Sequence, residues 1–479
     1  MFEQTVSIPG WLYLLLLLAA AYAVIVSILF PSVRWFVQGR LNRAVAKLNI
    51  SLSIKIKPFQ QTKRQVLIDQ LVFDPEVVAV IDQVARDTNV PREALMLDVK
   101  RYAREIVPSF NAYVYYQLGY WFAKWISRFL YRIRVSAVDQ QMLGTLDEDS
   151  TVVFVMNHRS NMDYVLICYL AAEQVTLSYA VGEWARVFPL ESLIRAMGAF
   201  FVRRGSQNVL YRKVLGRYVH MATQSGVCQA VFPEGGLSRD GTVAEPKIGF
   251  LDYMLRNYDY RTDRNITFIP VGINYDRVIE DKNLIHWDDK TRRSSHWQTF
   301  VRVCKFLRVN VFSSSRTRWQ RYGYAGVNFG IPFDMRIYCE KNNLIFRHLA
   351  QRDRILAVTA LAAELMDAVR YVIPVLPVPV IATVFSRHKG NSLRSLDIIA
   401  GCDSVIDEMI AAGAAIRADQ KPRHKTIAGA LENLKHRHIL IETDDSFQVN
   451  PEFERLIDYY ANSIRHWQSC AVVCHTEQA

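Results

Sequence analysis

From Trp11 to Phe30 the chain is an almost unbroken apolar run, WLYLLLLLAAAYAVIVSILF. About twenty such residues match the hydrocarbon thickness of a bilayer. A cleaved signal peptide would want a basic start and a shorter apolar core, whereas only Glu3 is charged before this run. No Lys or Arg precedes the run, and Arg34, Arg40, Arg43 and Lys47 follow it. The positive-inside rule therefore predicts an N-terminus outside and everything beyond residue 34 in the cytoplasm. Polar and apolar positions then alternate at helical spacing from Lys63 to Ile106, with a turn at Asp87-Thr88-Asn89 and a new helix from Pro91. Tyr113 to Val135 is rich in aromatics, and Lys124, Arg128 and Arg132 recur every four positions, which puts them on one helical face. That pattern suits a helix lying among lipid headgroups, and it also suits a core helix with a solvated basic edge.

From Thr151 the texture changes. Short apolar runs at 152–156, 227–232 and 266–273 alternate with helical stretches such as Arg212 to Thr223. This rhythm predicts an α/β fold whose mixed, largely parallel sheet is flanked by helices. Val327 to Pro332 reads as a late strand and turn of the same domain. Asp353 to Val369 reads as a long helix, followed by a Pro-broken apolar stretch from Val372 to Phe385. The expected organisation is an N-terminal transmembrane anchor helix at 1–34, a helical membrane-associated region at 35–136, an α/β catalytic domain at 137–340 and a mostly helical C-terminal extension at 341–479.

Composition adds one constraint. With 51% apolar and 22% charged residues the chain can build a sizeable core, but its formal charge of +12 favours anionic partners. Nucleic acid, lipid headgroups and phosphorylated substrates all qualify. No zinc-finger spacing and no basic stretch interleaved with aromatics is present, which disfavours nucleic acid. Seven scattered cysteines, an odd number, fit reduced thiols in a cytosolic compartment.

Candidate chemistry concentrates in three segments. A strand running into Asn157-His158 would place His158 at the carboxyl end of a parallel strand, where open α/β sheets put their active sites. Histidine titrates near the working pH and can take the proton of an alcohol. Asp163 can orient the ring, as carboxylates do in serine hydrolases. No GxSxG nucleophile elbow is present to carry a covalent intermediate. A His-x4-Asp spacing alone is weak, and a structural histidine explains it equally well. The segment Val231-Phe232-Pro233-Glu234-Gly235-Gly236-Leu237-Ser238-Arg239-Asp240-Gly241 follows a strand and is dense in glycine. Its backbone N–H groups could bind phosphate or an oxyanion, or simply form a turn. Gly198 to Arg204, GAFFVRR, ends in two arginines, which suit a phosphate dianion when they are not merely solvated.

The order His158-Arg159-Ser160-x-x-Asp163-Tyr164, then GAFFVRR, then Glu234 to Arg239, then Ile269-Pro270-Val271 resembles the sequence blocks of the bacterial membrane glycerol-3-phosphate acyltransferases. The likeness covers roughly residues 100 to 335, with Asn328-Phe329-Gly330 and Pro332 near its end. The His-x4-Asp block is shared by the wider glycerolipid acyltransferase superfamily, whereas GAFFVRR and Glu245-Pro246-Lys247 favour the glycerol-3-phosphate branch. The resemblance implies an enzyme of phospholipid synthesis at the cell inner membrane, with a cytoplasmic catalytic domain. In it His158 deprotonates a hydroxyl of glycerol 3-phosphate, Asp163 supports the base, and the alkoxide attacks the thioester of acyl-CoA or acyl carrier protein. Arg159, Ser160, Arg203, Arg204, Glu234, Gly235, Gly236, Ser238, Arg239 and Lys247 are implied to bind the substrate or shape its pocket. No metal or other cofactor is implied, and membrane lipids are the expected surroundings.

Two departures from the family pattern bear on the acceptor. Leu237 stands where the first arginine of the loop is usual, and Pro233 makes the loop read FPEG, as in enzymes that acylate lysophosphatidate. Acylation of 1-acylglycerol 3-phosphate or dihydroxyacetone phosphate is therefore the alternative reaction. An inactive lipid-binding or scaffold protein would be expected to have lost His158 or Asp163, and both are present.

Overall fold

A computed structural model describes residues 57–135, 147, 149–171, 177–182, 190–203, 205–282, 322–414, 416 and 422–468. Among these residues no helix is long and apolar enough to cross a membrane. The expected anchor, Trp11 to Phe30, lies outside them, as does Arg204.

After a single helical turn at Pro58–Gln61 come α1 (Arg64–Val72), α2 (Pro75–Thr88) and α3 (Arg92–Ile106). Asp74 caps α2 by accepting from the N–H groups of Glu76 and Val77 at 3.0 and 3.3 Å, and Pro75 sits at the first position, where no N–H is needed. The helix stops at Asn89 in the left-handed region, φ 58°. After a π-helical turn at Val114–Gly119, α4 (Tyr120–Leu130) leads into β1 (Arg132–Val135).

Helical spacing thus misplaces Arg132, which opens a strand instead of sharing a face with Lys124 and Arg128. Arg132 and Arg134 alternate with Ile133 and Val135 at strand period, and β1 pairs in parallel with the later strand β7 (Tyr324–Phe329). The guanidinium of Arg134 stacks 3.5 Å above the Tyr324 ring. The sheet therefore begins at Arg132, ahead of the expected boundary at 137.

The remaining strands of the main sheet are β2 (Thr151–Met156), β3 (Ser178–Gly182), β4 (Phe200–Val202), β5 (Gln229–Val231), β6 (Ile266–Tyr275) and β8 (Phe333–Asp334). The order is β1-β7-β6-β2-β5-β3-β4, with β8 added beside β6. Strands β6, β2, β5, β3 and β4 run parallel, while β7 and β8 are antiparallel to β6. The sheet is mixed and mostly parallel, as its apolar runs predict. Every residue of β2 and β6 is buried, which explains why these strands read as continuous apolar segments rather than alternating ones.

Helices α5 (Met162–Ala171), α6 (Leu190–Ala196), α7 (Val209–Gln224) and α8 (Gly249–Leu255) connect the strands. Val153 and Val155 on one face of β2 join a single buried cluster with α1, α2, α3, α7 and α8. Phe154 points to the other face and meets Phe329 edge-on at 6.0 Å.

The C-terminal part holds α9 (Met335–Asn342), α10 (Gln351–Arg370), α11 (Pro377–Arg387), α12 (Ser395–Ala411), α13 (Arg423–His436) and α14 (Glu454–Asn462). A small sheet of β9 (Leu393–Arg394), β10 (Leu440–Thr443) and β11 (Ser446–Val449) interrupts the helices. This part packs onto the end of β6. Asp276 accepts from the N–H groups of Val378 at 2.9 Å and Tyr324 at 2.8 Å, so it caps α11 and ties down β7 together. Burial pushes its carboxyl up to about 6. Arg437 is buried against Asp281, which also accepts from the Tyr460 hydroxyl at 2.7 Å.

Candidate active site

Strands β2 and β5 are parallel neighbours, with Val155 opposite Val231. Their carboxyl ends therefore release two loops side by side: Asn157 to Asn161, and Phe232 to Gly241. The loops are bonded to each other through one residue. Ser238 N–H donates to the His158 carbonyl at 2.9 Å, and His158 N–H donates to Glu234 Oε1 at 2.7 Å. Asn157 fixes the base of the first loop to β6, accepting from Ile273 N–H at 2.7 Å and donating to its carbonyl at 2.9 Å.

His158 and Asp163 meet as the spacing suggests. Nδ1 of His158 lies 2.9 Å from Oδ2 of Asp163. That same oxygen accepts from the N–H groups of Arg159 and Ser160 at 2.7 and 3.0 Å, and Oδ1 accepts from the Tyr275 hydroxyl at 2.7 Å. An oxygen so engaged is an acceptor toward His158 too. The ring proton is then on Nδ1, which leaves the lone pair of Nε2 available. Nε2 is buried with no hydrogen-bond partner. The imidazole packs against Phe232, centroids 4.2 Å apart, and meets Tyr164 edge-on at 5.4 Å.

His158 lines a cavity of about 290 Å³. Tyr164, Val181, Val202, Leu215, Phe232 and Phe250 supply apolar wall, while Arg203, Arg212 and Lys247 bring positive charge. Gly235 also lines it, in the left-handed region at φ 68°, with the Lys247 side chain pressed where a Cβ would sit. Lys247 N–H donates to the Pro233 carbonyl at 2.8 Å, so the Glu245-Pro246-Lys247 segment folds back over the glycine loop.

Several residues of the motifs lie elsewhere. Arg159 is 2% exposed, and its guanidinium donates to the carbonyls of Gly241 and Ser463 rather than facing the cavity. Ser160 donates to Glu280 at 2.7 Å, and Asn161 binds the same carboxylate through its side-chain amide at 2.9 Å. Ser238 is buried in its own turn, donating to the Thr242 carbonyl at 2.7 Å and accepting from Gly241 N–H at 3.1 Å. Arg239 is exposed, and neither it nor Gly236 forms part of the cavity wall.

Glu234 has both oxygens committed, one to His158 N–H and the other to Ala244 N–H at 3.1 Å. Burial pushes its carboxyl up, against the pull of those two N–H groups and the charge of Arg159. Arg203 does line the cavity, but Glu105 holds its guanidinium at both ends, 2.9 and 2.7 Å, and that pairing raises its already high pKa.

Tyr275, Glu280, Glu105 and Arg212 escape the sequence reading. The first three act through partners 98 to 120 residues away. Tyr275 had one signal: it ends the strand that carries Ile269-Pro270-Val271, and that strand neighbours β2.

The histidine–aspartate pair thus sits at the carboxyl end of a parallel strand, its histidine lining the cavity, and residues 136–274 match the Acyltransferase family model. Residues 309–470 match the model of the glycerol-3-phosphate acyltransferase C-terminal region. Both matched parts of the chain are thus similar to glycerol-3-phosphate acyltransferases. It is 26% identical over 440 residues to the glycerol-3-phosphate acyltransferase of Xanthomonas campestris pv. campestris, covering 85% of this chain and 47% of that one. It is 29% identical over 295 residues to the enzyme of that name from Aeromonas hydrophila subsp. hydrophila, covering 61% of this chain and 35% of that one. The chain thus spans half or less of the length of these curated relatives. The 1-acyl-sn-glycerophosphate (LPA) acyltransferase of Thermotoga maritima superposes loosely, with a TM-score of 0.27 and 16% identity over 63% of this chain and 98% of that one.

Proposed function

We propose that this chain moves a fatty acyl group from an acyl thioester, acyl-CoA or acyl carrier protein, to a hydroxyl of glycerol 3-phosphate, giving lysophosphatidate. The observation that carries the reading is the unpartnered Nε2 of His158, a residue that lines a cavity of apolar side chains and three cations. Nε2 takes the acceptor's hydroxyl proton as the oxygen attacks the thioester carbonyl carbon. The carbon–sulfur bond then breaks, and the imidazolium returns the proton to the departing thiolate. Asp163 stabilises the imidazolium across the 2.9 Å contact. Glu234 and Ser238 hold the His158 backbone, and Gly235 and Lys247 flank the acceptor. Arg203 adds to the basic side.

The setting we propose is the cytoplasmic face of the inner membrane, with Trp11 to Phe30 as anchor. On α4, Trp121, Phe122 and Trp125 stay exposed beside Arg128, which supports contact with a lipid surface. The test is turnover. Radiolabelled glycerol 3-phosphate with palmitoyl-CoA or palmitoyl acyl carrier protein should yield labelled lysophosphatidate. Consumption of lysophosphatidate or dihydroxyacetone phosphate instead, with glycerol 3-phosphate left untouched, would move the reaction to the alternative acceptor suggested by Leu237.

A further inference from the structure

Four basic positions are within reach of an acceptor phosphate by sequence or geometry: Arg203, Arg239, Arg212 and Lys247. They are not equivalent. Both ends of the Arg203 fork are filled by Glu105. Arg239 is not part of the cavity wall. Arg212 and Lys247 line the cavity as solvent-exposed residues, and among the described residues neither forms an ion pair with a carboxylate. The described wall contains no Asp or Glu at all.

A second observation comes from α7, which carries Arg212 in its second turn. This sixteen-residue helix starts beside Ser206 of the cavity wall, is capped by Asn208, and has no acidic residue in its first turn. Its positive end is therefore not offset by its own side chains. An uncompensated helix start, a guanidinium and an ammonium on one wall call for a dianion.

We propose that Arg212, assisted by Lys247, is the residue that recognises the phosphate of the acceptor. Arg203 serves chiefly to brace β4 against α3 through Glu105. This assignment deepens the proposed glycerol 3-phosphate acyltransferase reading and rests on it. The same phosphate chemistry is offered by coenzyme A, so the experiment separates the two sources.

Turnover of glycerol 3-phosphate by the full-length protein comes first, and its absence would end the functional reading itself. Given turnover, Arg212→Gln raises KM for glycerol 3-phosphate on the order of 10- to 100-fold, as expected for loss of a charge-assisted contact. KM for palmitoyl-CoA stays within about twofold of the parent, and Arg212→Lys recovers part of the loss. Inorganic phosphate competes with glycerol 3-phosphate in the parent and no longer does so in Arg212→Gln. A readout without mutation follows phenylglyoxal labelling of Arg212 by mass spectrometry. Glycerol 3-phosphate protects the residue, and glycerol does not. A rise in KM confined to palmitoyl-CoA, or protection by coenzyme A and not by glycerol 3-phosphate, would overturn the assignment. So would an unchanged KM for glycerol 3-phosphate in a folded Arg212→Gln protein.

Discussion

The hydroxyl of Tyr275 donates to Oδ1 of Asp163 at 2.7 Å, the carboxylate oxygen that His158 does not use. Tyr275 is fully buried, and burial, then the Asp163 charge, pushes its phenol well above the ordinary range. It is therefore a proton donor at every working pH. One oxygen of Asp163 is held by Tyr275 and the other by two backbone N–H groups, so the carboxylate plane is fixed before His158 binds it. Tyr275→Phe leaves Oδ1 buried without its donor, a cost of about 1.5–3 kcal/mol. The expected outcome is a kcat roughly tenfold lower with both KM values unchanged, together with a lower melting temperature. An unchanged kcat in the folded variant would mean that the backbone N–H groups alone orient the carboxylate.

Gly241 carries a different constraint. Its φ is 87°, and a Cβ there would run into the backbone carbonyl of Tyr459 on α14. Its own carbonyl accepts from Arg159, and its N–H donates to Ser238. Gly235, also left-handed, would meet only the flexible side chain of Lys247. Gly241→Ala should cost at least about 2 kcal/mol, since strained backbone and a backbone clash add together. Gly235→Ala should cost about 1 kcal/mol. Denaturant midpoints of the two variants give the comparison, and equal losses would contradict the close approach of α14.

The C-terminal part also confers a pH dependence. Burial, and then the positive charges of Arg159 and Arg370, push His466 down to about 3. The unfolded chain takes up a proton near pH 6.5 that the folded protein refuses, so folding loses stability as pH falls from about 6.5 toward about 3. Above pH 6.5 this residue contributes no slope. His466→Gln should narrow the acid-induced loss by about 1–2 kcal/mol near pH 4.5, the ring being partly exposed. Melting temperatures of both proteins between pH 8 and 4 would show parallel curves if His466 were not responsible.

How much of this was legible follows from where each contact lies in the chain. Strands β2, β5 and β6 are buried on both faces, so their apolar runs announced them. His158 and Asp163 are five residues apart, so their contact is local in the chain. Glu234 is legible as a residue that shapes the pocket, but the groups it holds are not. Its two oxygens hold the backbone of His158 and Ala244, contacts 76 and 10 residues away in the chain. Arg159 misleads, because a cation in a motif suggests a phosphate and here it ties two loops to the C-terminal part. Tyr275 and Glu280 become neighbours of the site only when β6 pairs beside β2, a register that local pattern does not contain. Strand β1 was hidden by its arginines, which recur at helical spacing as well as at strand spacing.

The strongest prediction concerns the pair itself. His158→Ala removes the proposed base and should lower kcat about 100- to 10,000-fold, with folding intact, because among the described residues the ring's only polar partner is Asp163. For Asp163→Asn the surroundings decide the outcome. The N–H groups of Arg159 and Ser160 both point at the Oδ2 position and demand an acceptor there, so the amide oxygen takes it and the amide nitrogen turns to Tyr275. His158 Nδ1–H then still meets an oxygen, and the tautomer survives. What is lost is the negative charge opposite the imidazolium, so the fall in kcat is smaller, about tenfold or somewhat more. Asp163→Leu instead leaves two buried N–H groups and a phenol unpaired, and should unfold the loop. Because base and carboxylate act as one unit, His158→Ala with Asp163→Asn should be little slower than His158→Ala alone. Multiplicative losses in that double variant would mean that Asp163 serves the reaction by a route other than His158. Near-parental turnover by a folded His158→Ala protein would remove the histidine from the mechanism altogether.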